Sequence, residues 1–236
     1  VRTITSPVEG QVCFSRRFST VPSRNKHAYV LEAQGERCEA VRTFLELLGS
    51  PHKELKAVCH VVGSKGKGST GAILSSIMSR SGLRVGTYTS PHLESVIERI
   101  RLGGERISAE AFGEAIGTVL TAIGASGLQP MTWFETVTAA ALLEFANEAV
   151  DVAIVEVGML GRYDATNVVS AQVAVITNIG LDHSSGEGEW RRAIASEKAG
   201  IIEPASTLVL GELDPHLALP LRRQQDPDPF VKSRDD

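Results

Sequence analysis

The 236-residue chain has little that would tie it to a large partner. It has three cysteines, Cys13, Cys38 and Cys59, odd in number and scattered. Neither a disulfide framework nor a cysteine metal site organises it, and a reducing compartment suits it. No apolar run approaches the roughly 20 residues needed to cross a bilayer, which excludes a helical membrane span. Charge of one sign is also missing in excess. The 24 Lys and Arg stand against 28 Asp and Glu, a formal net charge of −4, so there is no global attraction to nucleic acid or to an anionic membrane. At 42% hydrophobic and 22% charged, the balance is that of a soluble globular chain, long enough for one large α/β domain or a domain and a fragment.

What is present is concentrated in one stretch, Gly63-Ser64-Lys65-Gly66-Lys67-Gly68-Ser69-Thr70. An apolar run (57–62) precedes it and a helix-like segment, Ala72 to Arg80, follows. Strand, glycine loop and helix build a phosphate cradle: the glycines let backbone N–H groups turn inward, and the helix start adds partial positive charge. Lys67 can reach the outer phosphates of a nucleotide, and the hydroxyl of Ser69 can support a magnesium ion. The match to G-x-x-x-x-G-K-[ST] is imperfect, because Val61 takes the first glycine position and Gly68 separates Lys67 from Ser69. A mobile Gly/Ser/Lys loop is the plain alternative.

Residues 1–30 carry five basic residues, several Ser and Thr, and one acid, Glu9. They read as a flexible leader, or as a transit peptide without a clear amphipathic helix. The chain is therefore expected to be cytoplasmic, or mitochondrial if a transit peptide is present. Order is expected from near His27. Helices are expected over Glu36–Leu48, from a cap at Ser108, over Glu135–Asn147 and over Arg191–Ile202. Strands are expected at 57–62, Arg84–Thr89, Asp151–Val157, Gln172–Asn178 and Thr207–Leu210, several of them β-branched runs of the kind buried on both faces. Alternating strands and helices predict an α/β fold, a doubly wound, mostly parallel sheet, over 31–212. Residues 213–236 show no sustained periodicity and read as a disordered tail.

In such sheets ligands bind beyond the carboxyl ends of the strands. Lys67, Ser90, Glu156, Asp182 and His183 all fall there. Glu156, in the apolar run Ile154-Val155-Glu156-Val157, must be paired or must bind metal if it is buried ionised, so it is either half of an ion pair or a magnesium ligand. His183 is either an imidazole for a metal or a surface residue. Lys198 beside Glu197 on a helix reads as solvent-facing. Arg162 and Asp164 read as a polar turn.

Seven segments in order resemble the folylpolyglutamate synthase/dihydrofolate synthase family, a branch of the Mur ligase superfamily. They are VVGSKGKGS (61–69), TSPHL (89–93), ERI (98–100), TWFET (132–136), VEVGMLGRYDATN (155–167), ITNIGLDH (176–183) and IASEKAGI (194–201). The resemblance implies an ATP-dependent amide ligase. ATP would phosphorylate a carboxylate of folate or dihydropteroate, and the amine of L-glutamate would displace the phosphate. It implies that Gly63 to Thr70 bind ATP and that Lys67, Glu156, His183 and Lys198 are catalytic. Ser90 and Glu156 would hold one magnesium with Ser69 in support, and His183 a second. Lys198 matches a lysine carbamylated by carbon dioxide. A monomer with small-molecule partners, and with neither nucleic acid nor membrane, is expected. Lys65 departs from the usual asparagine and Leu160 from a usual glycine, so Leu160 must displace the backbone or demand another conformation. Family members carry a second, smaller α/β domain, which the sequence given is expected to lack. The alternatives to a ligase are an ATP-binding module or pseudoenzyme that cannot complete the reaction, and another amino-acid ligase of the superfamily.

Overall fold

A computed structural model describes residues 26–180 and 190–222. From helix α1 (Lys26–Leu47) the chain passes through β1 (Val58–Val62), α2 (Lys67–Arg80), β2 (Val85–Tyr88), two short strands β3 (Ile100–Leu102) and β4 (Glu105–Arg106), then α3 (Ala109–Ser126) and α4 (Trp133–Asn147). It continues with β5 (Val152–Glu156), β6 (Val173–Ile176), α5 (Trp190–Ala199), β7 (Thr207–Leu210) and α6 (Pro215–Arg222). The strands form one sheet in the order β4-β3-β2-β5-β1-β6-β7. Five are parallel, and β3 and β4 extend one edge antiparallel. The expected doubly wound, mostly parallel sheet is the observed one.

Alternation along the central strands divides the core in two. Cys59, Val61, Val85, Ile154 and Val175 pack with Leu74 and Met78 under α2. Val58, Tyr88, Ala153 and Val155 face the other way, into a larger cluster with Phe44 of α1, Val119 of α3 and Phe145 of α4. On that same side Val62, Ala174 and Ile176 pack with Ile194 of α5 and Leu217 and Leu221 of α6. Glu156 follows Ile154 by two residues, so the alternation turns it toward α2.

Beyond shifts of one to three residues at element ends, four features differ from expectation. Helix α1 reaches back to Lys26, into the stretch read as leader. Gly35 lies inside this helix, where one interior glycine costs only about 1 kcal/mol. Helix α2 begins at Lys67 rather than Ala72, because Gly66 at φ 80° turns the chain directly into it. The β3–β4 hairpin was missed although its turn is Gly103-Gly104, both at positive φ, a two-residue hairpin signal. The stretch read as a tail contains α6. Its start is Asp214-Pro215, where Asp214 Oδ1 accepts the His216 N–H at 3.0 Å and proline suits the first helical turn. Leu217, Ala218 and Leu221 are buried.

Candidate active site

The glycine loop joins β1 to α2 with Gly66 left-handed at its turn, so Lys67, Gly68 and Ser69 open the helix with N–H groups that lack intrahelical partners, while the Thr70 N–H closes the first turn on Gly66 O at 2.9 Å. The loop is stapled to the exit of β6. Asn178 O accepts the Ser64 N–H at 3.2 Å, and Asn178 Oδ1 accepts the Lys65 N–H at 3.0 Å. Lys65 O receives the Thr177 hydroxyl at 2.6 Å and Asn178 Nδ2 at 3.2 Å. Ser64 Oγ accepts from the Gly180 N–H at 2.9 Å. The approach is so close that a Cβ on Gly63 would overlap Thr177 Oγ1. Thr177, Asn178 and Gly180 carry no obvious chemistry in the sequence. Their role as a brace appears only when β1 and β6 are seen to be neighbours.

Lys67 Nζ donates to Gly63 O at 3.1 Å and lies 3.9 Å from Glu156 Oε1. Glu156 Oε2 accepts a long bond from the Ser90 N–H at 3.4 Å, and a Cβ on Gly68 would lie 3.5 Å from that oxygen. The structure thus brings together Lys67, Gly68, Ser90 and Glu156 from three strand ends. Ser69 is exposed on the first turn of α2. Glu156 is buried, and burial pushes its carboxyl above the ordinary value against the pull of Lys67 and the Ser90 N–H. A buried carboxylate with two long contacts has unused coordinating capacity, which fits a hard cation. Among the described residues no three His, Cys, Asp or Glu side chains converge. A magnesium ion here would therefore rest on one carboxylate, hydroxyls and phosphate oxygens. His183 and Asp182 lie outside the described residues.

Lys198 is 1% exposed, which corrects the solvent-facing reading of this residue. It sits on α5 beneath the loop that follows β5. Arg162 N–H and Nη2 bond to Glu197 O at 2.9 Å and Ser196 O at 3.2 Å, and Asn167 Nδ2 bonds to Arg162 O and Gly200 O. Leu160 in this loop holds φ 58°. The backbone keeps a left-handed conformation that suits glycine and bears a side chain in it.

Beside the loop lies a cavity of about 430 Å³, walled in part by Ser90, Arg37, Phe134, Leu160, Tyr163 and Asp164. Ser90 links it to the phosphate side. Arg37 of α1 grips Glu135 through two bonds of 2.7 and 2.6 Å. Glu135 also closes a capping box at the start of α4 by accepting the Thr132 N–H at 2.6 Å. Asp164 is buried and accepts Met159 N–H at 2.8 Å, Thr166 N–H at 3.0 Å and Thr166 Oγ1 at 2.6 Å. It does form the predicted turn, but deep in the wall rather than at the surface. Arg37 and Glu135 are 98 residues apart, a separation no local pattern bridges.

Residues 61–226 match the Mur ligase middle domain family. The chain is 39% identical over 188 residues to the Escherichia coli dihydrofolate synthase/folylpolyglutamate synthase, covering 80% of this chain and 43% of that protein. It resembles the structure of Escherichia coli FolC in complex with DHPP and ADP, at a TM-score of 0.71 and 37% identity, covering 80% of this chain and 44% of that one. It likewise resembles the Yersinia pestis bifunctional folylpolyglutamate synthase/dihydrofolate synthase complexed with AMPPNP and a Mn ion, at a TM-score of 0.71 and 37% identity over 78% of this chain and 45% of that one. The chain spans less than half the length of each of these proteins.

Proposed function

The chain belongs to the Mur ligase middle domain family, and from that premise we propose that it is the ATP-binding part of an amide ligase adding L-glutamate to a folate or to dihydropteroate. The observation that carries this reading is the convergence of Lys67, Glu156 and Ser90 on the first turn of α2. Supporting it are the relatives' names and the nucleotide bound in two similar structures. ATP would place its phosphates in the Gly63–Thr70 loop, on the N–H groups of Lys67, Gly68 and Ser69 that open α2, with the Lys67 ammonium taking the outer charge. Glu156 and Ser90, helped by Ser69, would hold Mg2+, and His183 a second ion. The ion neutralises charge on the transferring phosphoryl group.

The remaining work falls to the chain's own side chains. Phosphoryl transfer needs donor and acceptor in line and fixed, and the brace from Thr177 and Asn178 keeps the loop in place. The acceptor would lie in the cavity beside Ser90, its carboxylate directed at the γ-phosphate, so that the attacking amine of glutamate meets an acyl phosphate. Phe134 and Tyr163 offer aromatic faces to a flat ring system there. Burial of Lys198 suits a carbamate, which would turn a buried amine into a carboxylate-like group. The small-molecule partners are ATP, the pterin-bearing acid and glutamate, with the chain acting as a cytoplasmic monomer.

Titration calorimetry tests the nucleotide half. MgATP binds the wild-type chain, and Lys67→Ala weakens it by ~1–3 kcal/mol, the scale of a charge-assisted contact. Equal affinities in the two proteins would remove Lys67 from the site.

A further inference from the structure

The side chain that the proposed chemistry leaves unused is His60. It is fully buried in the middle of β1, where every neighbour along the strand is Val or Cys. Its Nε2 lies 3.0 Å from Thr166 Oγ1, and its Nδ1 is buried with no partner. The proton inventory fixes the polarity of this contact. Thr166 has one hydroxyl proton, and at 2.6 Å it goes to Asp164 Oδ1. Thr166 Oγ1 can then only accept from His60, which must carry its proton on Nε2. The result is a one-way chain, His60 to Thr166 to Asp164, running from the sheet interior to the wall of the cavity.

We propose that His60 is a positioning residue of the acceptor cavity, acting through Thr166 to hold the Asp164 carboxylate in a single orientation toward the ligand. The proposal rests on the reading of that cavity as the acceptor site. Asp164 Oδ1 is filled by the Thr166 N–H and hydroxyl. Oδ2 accepts the Met159 N–H of the cavity wall, and the Gly158 N–H is also drawn to the carboxylate; Oδ2 is the oxygen assigned to a bound N–H or O–H donor. Filling the strand is not a sufficient reason for this histidine, because its orphaned Nδ1 makes it worse packing than the valines beside it. What a valine cannot provide is a donor to Thr166. Without that donor the Thr166 hydroxyl is free to rotate, and Asp164 loses the restraint that selects one of its rotamers.

The test uses the full chain with His60→Leu, His60→Gln and Thr166→Val. The Gln amide places an N–H near the histidine Nε2, and Val replaces Thr without its hydroxyl. Calorimetric titration with dihydropteroate and, separately, with MgATP is expected to show about a tenfold loss of dihydropteroate affinity in His60→Leu and Thr166→Val. That is the lower end of what loss of a supporting partner costs elsewhere. MgATP affinity is expected to hold within about twofold in both, and His60→Gln to recover most of the dihydropteroate loss. Unchanged dihydropteroate affinity in His60→Leu, a parallel fall in ATP affinity, or a Gln variant as weak as Leu overturns the proposal. Nitrogen-15 NMR of the wild-type imidazole gives a readout free of ligand: a neutral Nε2–H ring is expected, and an Nδ1–H ring overturns the relay. A wild-type chain that binds ATP but no dihydropteroate, with His60 in the Nε2–H form, overturns the acceptor reading of the cavity and leaves the hydrogen-bond chain standing.

Discussion

Two buried ionisable residues, Glu156 and His60, respond oppositely to the same loss of water. Desolvation pushes the Glu156 carboxyl up and the His60 imidazole down to about 3. Each therefore tends toward its neutral form until something charged arrives. For His60 the pH consequence has a definite sign. Between its unfolded value near 6.5 and its folded value of about 3, the unfolded chain holds a proton that the folded chain lacks. Stability is thus fully present above about pH 6.5 and drains as the pH falls. Denaturant titrations should show wild type losing ~1.4 kcal/mol per pH unit more than His60→Gln between about pH 6 and pH 4. The raised carboxyls of Glu156 and Asp164 act in the opposite sense in both proteins and cancel in the difference. Parallel pH profiles would show that His60 is solvated. Leu160 makes a simpler prediction. A non-glycine residue in the left-handed region costs about 1–2 kcal/mol, and glycine's extra unfolded-state entropy takes back part of that. Leu160→Gly should therefore stabilise the protein by up to ~1 kcal/mol, and a loss of stability in thermal melts would mean that the leucine's packing outweighs its strain.

At the scale of elements, most local signals are legible in the sequence, with the Gly103-Gly104 hairpin turn the exception. The β-branched runs gave β1, β5, β6 and β7, Ser108 gave the start of α3 with its Oγ accepting the Ala111 N–H at 3.1 Å, and the glycine loop gave the edge where the site lies. The residues of the site that escape sequence reading share a cause, since each depends on an element distant in sequence. Thr177 and Asn178 matter because β6 lies beside β1, and His60 matters because the loop after β5 folds back over its face. Helix α6 escapes a sequence reading because its eight residues, with prolines at 215 and 220, show no sustained periodicity. Two measurements probe these contacts. Thr177→Val removes the 2.6 Å bond to Lys65 O while suiting a strand exit, and it should weaken MgATP by about 1 kcal/mol, roughly fivefold. An unchanged affinity would mean the loop holds its shape without the brace. Leu221→Ala empties a position that is 1% exposed beneath α6 and should cost about 2–4 kcal/mol of unfolding free energy. A negligible cost would return this segment to the status of a loose tail.

Across the whole molecule the two faces of the sheet are packed with apolar side chains, while its carboxyl edge gathers features that lower stability. These are the buried Glu156 carboxylate with two long contacts, the left-handed Leu160 and the unpartnered N–H groups at the start of α2. Such an edge is expected to gain most from the ligand it fits, because phosphate oxygens satisfy the N–H groups and a cation satisfies Glu156. A ligand that binds only the folded state stabilises it by RT ln(1 + [L]/Kd), about 2.7 kcal/mol at a hundredfold excess over Kd. For a chain of this size that corresponds to a rise in Tm of about 5–10 °C. MgATP should produce this shift in wild type. Magnesium alone should not, since one carboxylate and hydroxyls hold the ion weakly without phosphate oxygens. Lys67→Ala should melt near wild type when unliganded, its 3.9 Å contact to Glu156 being long, and should need more MgATP for the same rise. Differential scanning calorimetry separates the outcomes. A full shift with magnesium alone would show a complete metal site on the protein, and no shift with MgATP would show that this edge does not bind the nucleotide.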